Sequence, residues 1–229
     1  MAIYRIYPEK DSTILSKPNA AGVYGNAGLD EVLEIRSYPD DDGIGRSSRM
    51  LIKFRDRDID SAINTKVSGS YSASLKLYAA NASELPVGFN IEAYPVSSSW
   101  VQGTGKLQDE PVNISGVSWK FKDAGTIQWN NLGGDYITGS LASSQSFDVG
   151  SDLDLNIDVT NFVSSSYAGS INNNGFILKL QDNLEFETTS SISLQYFGND
   201  TNTIFPPYLE FKWDDSSYSS TLTDLSTDI

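Results

Sequence analysis

The chain offers 30 Asp and Glu residues and neither histidine nor cysteine. That removes the commonest general base, the commonest transition-metal ligand and the thiol nucleophile together. What acid–base chemistry remains belongs to carboxylates. A glycosidase runs on two carboxyls facing each other across a cleft, one with a raised pKa. Here the acids fall in a turn (Asp40–Asp42), in the tail (Asp214, Asp215) or at alternating positions (Asp152, Asp154), the pattern of a solvated face. A nucleophile built from Ser, Lys and Tyr needs a strained elbow such as G-x-S-x-G, and none is present. No catalytic residue and no enzymatic activity are expected.

Hard oxygen ligands cluster in two places. Asp40-Asp41-Asp42-Gly43 and Asp56-x-Asp58-x-Asp60 have spacings that calcium uses, but neither carries the later Glu of an EF-hand loop. A capped turn and a helix start account for both more simply. A structural calcium on Asp40 and Asp42 is the one cofactor left in view. Four rings, Trp100, Trp119, Trp129 and Tyr136, lie in a long Gly-rich stretch. Exposed, they would stack on sugar faces; buried, they would pack one end of the domain.

These groups need a frame. With 39% hydrophobic and 20% charged residues, the 229-residue chain has the makeup of one globular domain. Its 16 Lys and Arg are scattered among the acids, for a net charge of −14. Nucleic acid and anionic membrane surfaces are therefore not expected partners. No run of about 18 apolar residues is available to span a membrane. Met1-Ala-Ile-Tyr-Arg-Ile-Tyr7 enters strand-like sequence directly, so export by a signal peptide is not expected.

Alternation between turn signals predicts strands at Val32–Ser37, Arg49–Phe54, Ser72–Tyr78, Phe89–Val96, Gly175–Leu180, Ile192–Phe197 and Tyr208–Trp213. Asp58–Lys66, with Asp58 as N-cap, and Thr160–Tyr167 read as two short helices. The sum is an all-β fold, an antiparallel β-sandwich of jelly-roll type with two short helices. The expected inward set is Leu33, Ile35, Leu51, Ile52 or Phe54, Leu75, Leu77, Ile177 and Leu209.

Residues 1–213 form the expected single domain. Asp214–Ile229 differs: twelve of its sixteen residues are Ser, Thr or Asp, with few groups able to offset the entropy of ordering. It is expected to act as an acidic assembly arm docking on another subunit, anchored by Tyr218, Leu222, Leu225 and Ile229. The strand Ile3–Tyr7 is expected to serve the same purpose at the opposite end, by strand addition.

Several segments, in order, resemble the DNRLRE domain family, a jelly-roll module related to carbohydrate-binding modules. They are Asp11-Ser-Thr-Ile14 with Tyr24-Gly25-Asn26, Arg49-Met-Leu-Ile-Lys-Phe54, Leu75-Lys-Leu-Tyr78, and Tyr94-Pro-Val-Ser-Ser-Ser-Trp100 with Gly103-Thr-Gly105. Val117-Ser-Trp119, Lys122-Asp-Ala-Gly125, Trp129 and Gly133-Gly-Asp-Tyr136 follow, then Asp158–Val163 with Asn174–Lys179, and Pro206-Pro-Tyr-Leu-Glu210. The likeness covers about Asp11 to Trp213. It implies framework places for the four rings, which favours packing over sugar stacking. The family's short link after Lys-Phe is replaced here by Arg55–Asp60 leading into a helix.

The opening Met1–Asp11 is also similar to the starts of structural proteins of marine tailed phages. The resulting expectation is a non-enzymatic virion component of capsid surface, neck, tail or fibre. It would be made in the host cytoplasm and would touch other virion proteins and copies of itself. The alternative is a carbohydrate-binding module on a glycan surface, and behind it a carboxylate-based hydrolase.

Overall fold

Apolar residues at every second position favour pleated strands with one face buried. The computed structural model, which describes residues 1–123 and 125–216, is accordingly an antiparallel β-sandwich. Its strands are β1 (Ala2–Ile6), β2 (Pro8–Leu15), β3 (Val32–Pro39), β4 (Gly45–Phe54), β5 (Tyr71–Leu77), β6 (Ala79–Ser83) and β7 (Gly88–Pro95). They continue with β8 (Phe121–Asp123), β9 (Ile127–Gln128), β10 (Ser143–Asp148), β11 (Leu155–Asp158), β12 (Phe176–Leu180), β13 (Ile192–Phe197) and β14 (Tyr208–Trp213). One layer has the order β1-β14-β5-β11. The other runs β10-β7-β12-β4-β3-β13-β6, with β2 also paired to β4. A small hairpin, β8-β9, stands apart.

β4 shows how the sequence builds the layers. Met50, Ile52 and Phe54 point into the core between the sheets, together with Leu33, Ile35, Leu75, Leu77 and Leu209. Leu51 must then face outward, and so does Ile177 of β12. Both were expected inside the sandwich. They are fully buried nonetheless, in a second apolar cluster with Ile14, Val96, Trp100, Val117, Trp119 and Trp129. The long β7–β10 connection covers this outer face, so the large sheet is apolar on both sides where it lies beneath.

Among the described residues three helices, not two, complete the fold: α1 (Asp56–Thr65), α2 (Thr160–Tyr167) and α3 (Asp182–Glu185). α1 starts two residues before the expected Asp58, with Arg55 at the N-cap and no side-chain cap. Ile59 and Ala62 turn into the main core. None of the described helices is long and apolar enough to cross a membrane.

The two ends of the domain meet. β1 pairs along its length with β14, from Ala2 opposite Trp213 to Ile6 opposite Leu209. The Met1 amine lies 3.2 Å from Asp215 Oδ1. Ile3–Tyr7, at the other end of the chain, is thus brought beside the end of β14 and Asp215. Ile3 and Tyr7 are exposed there. Tyr218, Leu222, Leu225 and Ile229 lie outside the described residues.

Candidate functional site

The β7–β10 excursion leaves the sheet at Val96 and returns beside it, since Val96 and Tyr136 form a β-bridge and Ile137 N–H donates to the Pro95 carbonyl at 2.9 Å. Indole N–H groups fix its interior. Trp100 Nε1 donates to the Asn174 carbonyl at 2.9 Å, and Trp129 Nε1 to the Ser118 carbonyl at 3.0 Å. The Lys10 ammonium rests 4.2 Å from the centre of the Trp100 ring. Trp100 is 3% exposed, and Trp119 and Trp129 are each 5% exposed. Their faces are taken up by packing, so none of the three is exposed to stack on a sugar. Tyr136 is half-buried and tilted against Tyr94, 4.8 Å between ring centres.

Beneath the excursion lies a buried charge network. Arg49 Nε and Nη2 grip the two carboxylate oxygens of Glu185, Nη2 at 2.9 Å, while Nη1 donates to the Gly133 carbonyl at 2.8 Å. The same guanidinium lies 4.9 Å from the Trp119 ring centre. Lys179, fully buried, donates to Glu185 at 3.2 Å and to Asp182 at 2.6 Å. Burial alone would lower the Lys179 pKa, but the two carboxylates outweigh it and hold it raised. Every charge here has a partner, which is the condition for burying it. The cluster ties β4, β12, α3 and the excursion together.

The open site is a two-lobed cleft on the outer face of β3. Val32, Glu34, Arg36 and Tyr38 alternate along its floor, joined by Gln195 of β13. The lobes, of about 310 and 350 Å³, share Glu34, Lys106, Leu107 and Gln108. One wall is the loop through Lys106–Val112, and a single buried side chain holds its foot. Asn26 Nδ2 donates to the carbonyls of Gln102, at 2.6 Å, and Val117, at 2.8 Å. Its Oδ1 accepts from Gly105 N–H at 2.8 Å. A Cβ on Gly103 or Gly105 would collide with Asn26, and Gly103 has φ +82°. Glycine is therefore required at both positions of the Gly-Thr-Gly motif.

The cleft mixes charges without pairing them. Lys17, Arg36 and Lys106 line it beside Glu34, Asp109 and Glu110. None of the three cations has an ion pair within 4.0 Å among the described residues. The Arg36 guanidinium lies flat over Tyr38, 4.1 Å from the ring centre. Glu34 Oε1 accepts from the Gln195 amide at 3.2 Å. Asp30 shares the first lobe with Glu34. Burial pushes the Asp30 pKa up, the Leu107 N–H and then the Lys106 charge lower it in part, and the negative charges of Asp109 and, least, Glu34 add to the rise.

None of these cleft residues was singled out from sequence. Strand alternation places Glu34, Arg36 and Tyr38 on one face, but only the partner loop from seventy residues away makes that face a cleft. The calcium candidates lie elsewhere. Asp40 Oδ1 accepts from Asp42 N–H at 3.1 Å and Ile44 N–H at 2.9 Å, and Oδ2 pairs with Arg46 at 2.7 Å. The Arg46 partner and these amides lower the Asp40 pKa. Asp40 thus caps the β3–β4 hairpin turn, and Asp42 takes part through its backbone. Among the described residues no three acidic groups are arranged to hold a metal ion. No family model matches the chain, and no curated protein matches it.

Proposed function

We propose that this chain is a non-enzymatic structural component of a tailed-phage virion, acting through contacts with other virion proteins and with copies of itself. The observation that carries the reading is the β1 edge. β1 pairs with β14 on one side and with no other strand among the described residues. An open edge is a template for strand addition. Exposed Ile3 and Tyr7 flank it, and Asp215, two residues past the neighbouring strand, pairs with the Met1 amine. The opening Met1–Asp11, similar to the starts of phage structural proteins, contributes β1 to this edge before it turns into β2. The test is mass spectrometry of purified particles from a phage whose genome encodes the chain. Stoichiometric recovery with the particles is expected, and recovery only in the soluble lysate would sink the reading.

The cleft favours a second reading, adhesion to a glycan. Sugar hydroxyls each need a donor and an acceptor; Lys17, Arg36 and Lys106, without ion pairs among the described residues, offer donors, and Glu34 and Asp109 offer acceptors, beside a Tyr38–Arg36 stack. Affinity electrophoresis against soluble polysaccharides tests it: Arg36→Ala should abolish any retardation of the intact chain. Equal retardation of wild type and variant would remove the cleft from consideration.

A further inference from the structure

One carboxylate in the core of the fold has no counter-ion. Asp11, on β2, is 1% exposed. Its Oδ2 accepts the Asn199 N–H at 2.6 Å, at the start of the β13–β14 connection. Gly198 packs directly on it: a Cβ there would lie 3.3 Å from Asp11 Oδ2 and 3.3 Å from the Asp30 carbonyl. The connection is held further by Gly198 N–H on the Glu31 carbonyl at 2.9 Å and by the Asn202 amide on Glu31 at 3.2 Å. At its far end it carries Ile204, 85% exposed, and Phe205, 40% exposed. The Phe205 ring is 5.8 Å from Phe197 and 5.0 Å from Tyr78.

The charged groups packed around Asp11 do not neutralise it. Asp200 sits on the connection itself, and Asp30 and Glu31 on the segment beneath. On its own strand, Lys10 turns away onto Trp100, and Glu9 pairs with Lys53 of neighbouring β4 at 3.4 Å. No cation lies within 4.0 Å of Asp11 among the described residues.

We propose that Asp11 is a proton-dependent latch, whose neutral form seats the 198–207 connection on the sandwich and whose ionised form releases it. In the neutral form the carboxyl is buried without cost from charge, and its oxygen still accepts the Asn199 N–H. Loss of the proton leaves a buried negative charge next to Asp200 with the Asn199 N–H as its one hydrogen bond among the described residues and no counter-ion, too little to offset its burial. Residues 198–200 pack directly on the carboxylate, and lifting them lets water reach that charge. Phe205 then leaves its seat against Phe197 and Tyr78, and the exposed apolar tip changes its presentation. Burial raises the Asp11 pKa to about 7, the Asn199 N–H lowering it in part and Asp200 adding a smaller push upward, so the change falls near neutrality.

The latch is a property of the isolated chain and stands or falls independently of particle assembly. The test follows the Asn199 amide by NMR in the intact protein across neutral pH, with hydrogen exchange of residues 198–207 corrected for intrinsic rates. A midpoint near 7 is expected, with protection falling about tenfold or more across it. Asp11→Asn should remove both responses, and Asp200→Asn should move the midpoint down. Should Asp11→Asn fail to fold, the wild-type titration and Asp200→Asn decide. A flat Asn199 shift across neutrality, or unchanged protection, would overturn the latch.

Discussion

Arg49 and Glu185, 136 residues apart in sequence, meet in a two-pronged ion pair with Nη2 to Oε2 at 2.9 Å. The pair joins β4 to α3, and the third guanidinium nitrogen reaches up to the Gly133 carbonyl at 2.8 Å. One side chain thus ties the sheet to the excursion above it. Glu185→Ala would leave Arg49 and Lys179 buried with a lost partner, and should cost about 3–5 kcal/mol by chemical denaturation. Arg49→Met combined with Glu185→Leu should recover most of that loss. A cost below about 1 kcal/mol for Glu185→Ala would mean that the pair does not hold the excursion.

Asn26 governs the cleft wall. Replacing it with Ala strands the Gln102 and Val117 carbonyls and the Gly105 amide in a buried site. Each orphaned group costs about 1–3 kcal/mol if water cannot reach it. Water will enter, so the expected result is a total loss of about 2–4 kcal/mol and a new protease-sensitive site within residues 104–112. Limited proteolysis with mass mapping reads this directly. Cleavage elsewhere, with this loop still protected, would refute the anchor.

The strands were legible because each carries its own alternation. Val32–Pro39, Ile192–Phe197 and Tyr208–Trp213 need no distant information to declare an inward face. The missed strands lacked it: β6 is Ala-Ala-Asn-Ala-Ser and β10 begins Ser-Ser-Gln-Ser, stretches that pair because neighbouring strands offer an edge. Leu51 and Ile177 misled for a related reason. Apolar character says that a side chain is buried, not on which side of the sheet, and a sheet covered on both faces breaks the rule of one apolar face. The tryptophans could be placed as framework, whereas the cleft could not be seen at all. Its residues are ordinary surface types until the Asn26 contacts bring the Lys106–Val112 loop over them.

Asp11 also makes the stability of the whole chain depend on pH. Its folded pKa, about 7, stands above the ordinary aspartate value of 3.8. Its contribution is therefore fully present below about 4 and is lost as pH rises through 7, a difference of about 4 kcal/mol at most. Asp40, Asp182 and Glu210, whose pKa values are lowered, work in the opposite direction. The comparison to make is therefore wild type against Asp11→Asn, by urea denaturation across that range. The variant should gain on wild type as pH rises from about 4 to about 8. Parallel stability curves would show that Asp11 is not held neutral by the fold.

Asp30 and Glu34 bear on whether this protein is an enzyme, because they are two carboxylates in one cleft and the first has a raised pKa. That is the outline of a glycosidase pair. The hydrogen bonds argue for another use. An Asp30 oxygen receives the Leu107 N–H at 3.1 Å and so helps to hold the cleft wall. Glu34 is anchored by the Gln195 amide at 3.2 Å and the Ser193 hydroxyl at 3.4 Å. An acid catalyst must release and recover its proton at each turnover, and a carboxylate that accepts a backbone amide is poorly placed to donate one. The expected outcome is that the intact chain releases no reducing ends from soluble polysaccharides, and that Asp30→Asn and Glu34→Gln leave this unchanged. Hydrolysis by the wild type that falls by about a hundredfold or more in either variant would make the pair catalytic and the non-enzymatic reading wrong.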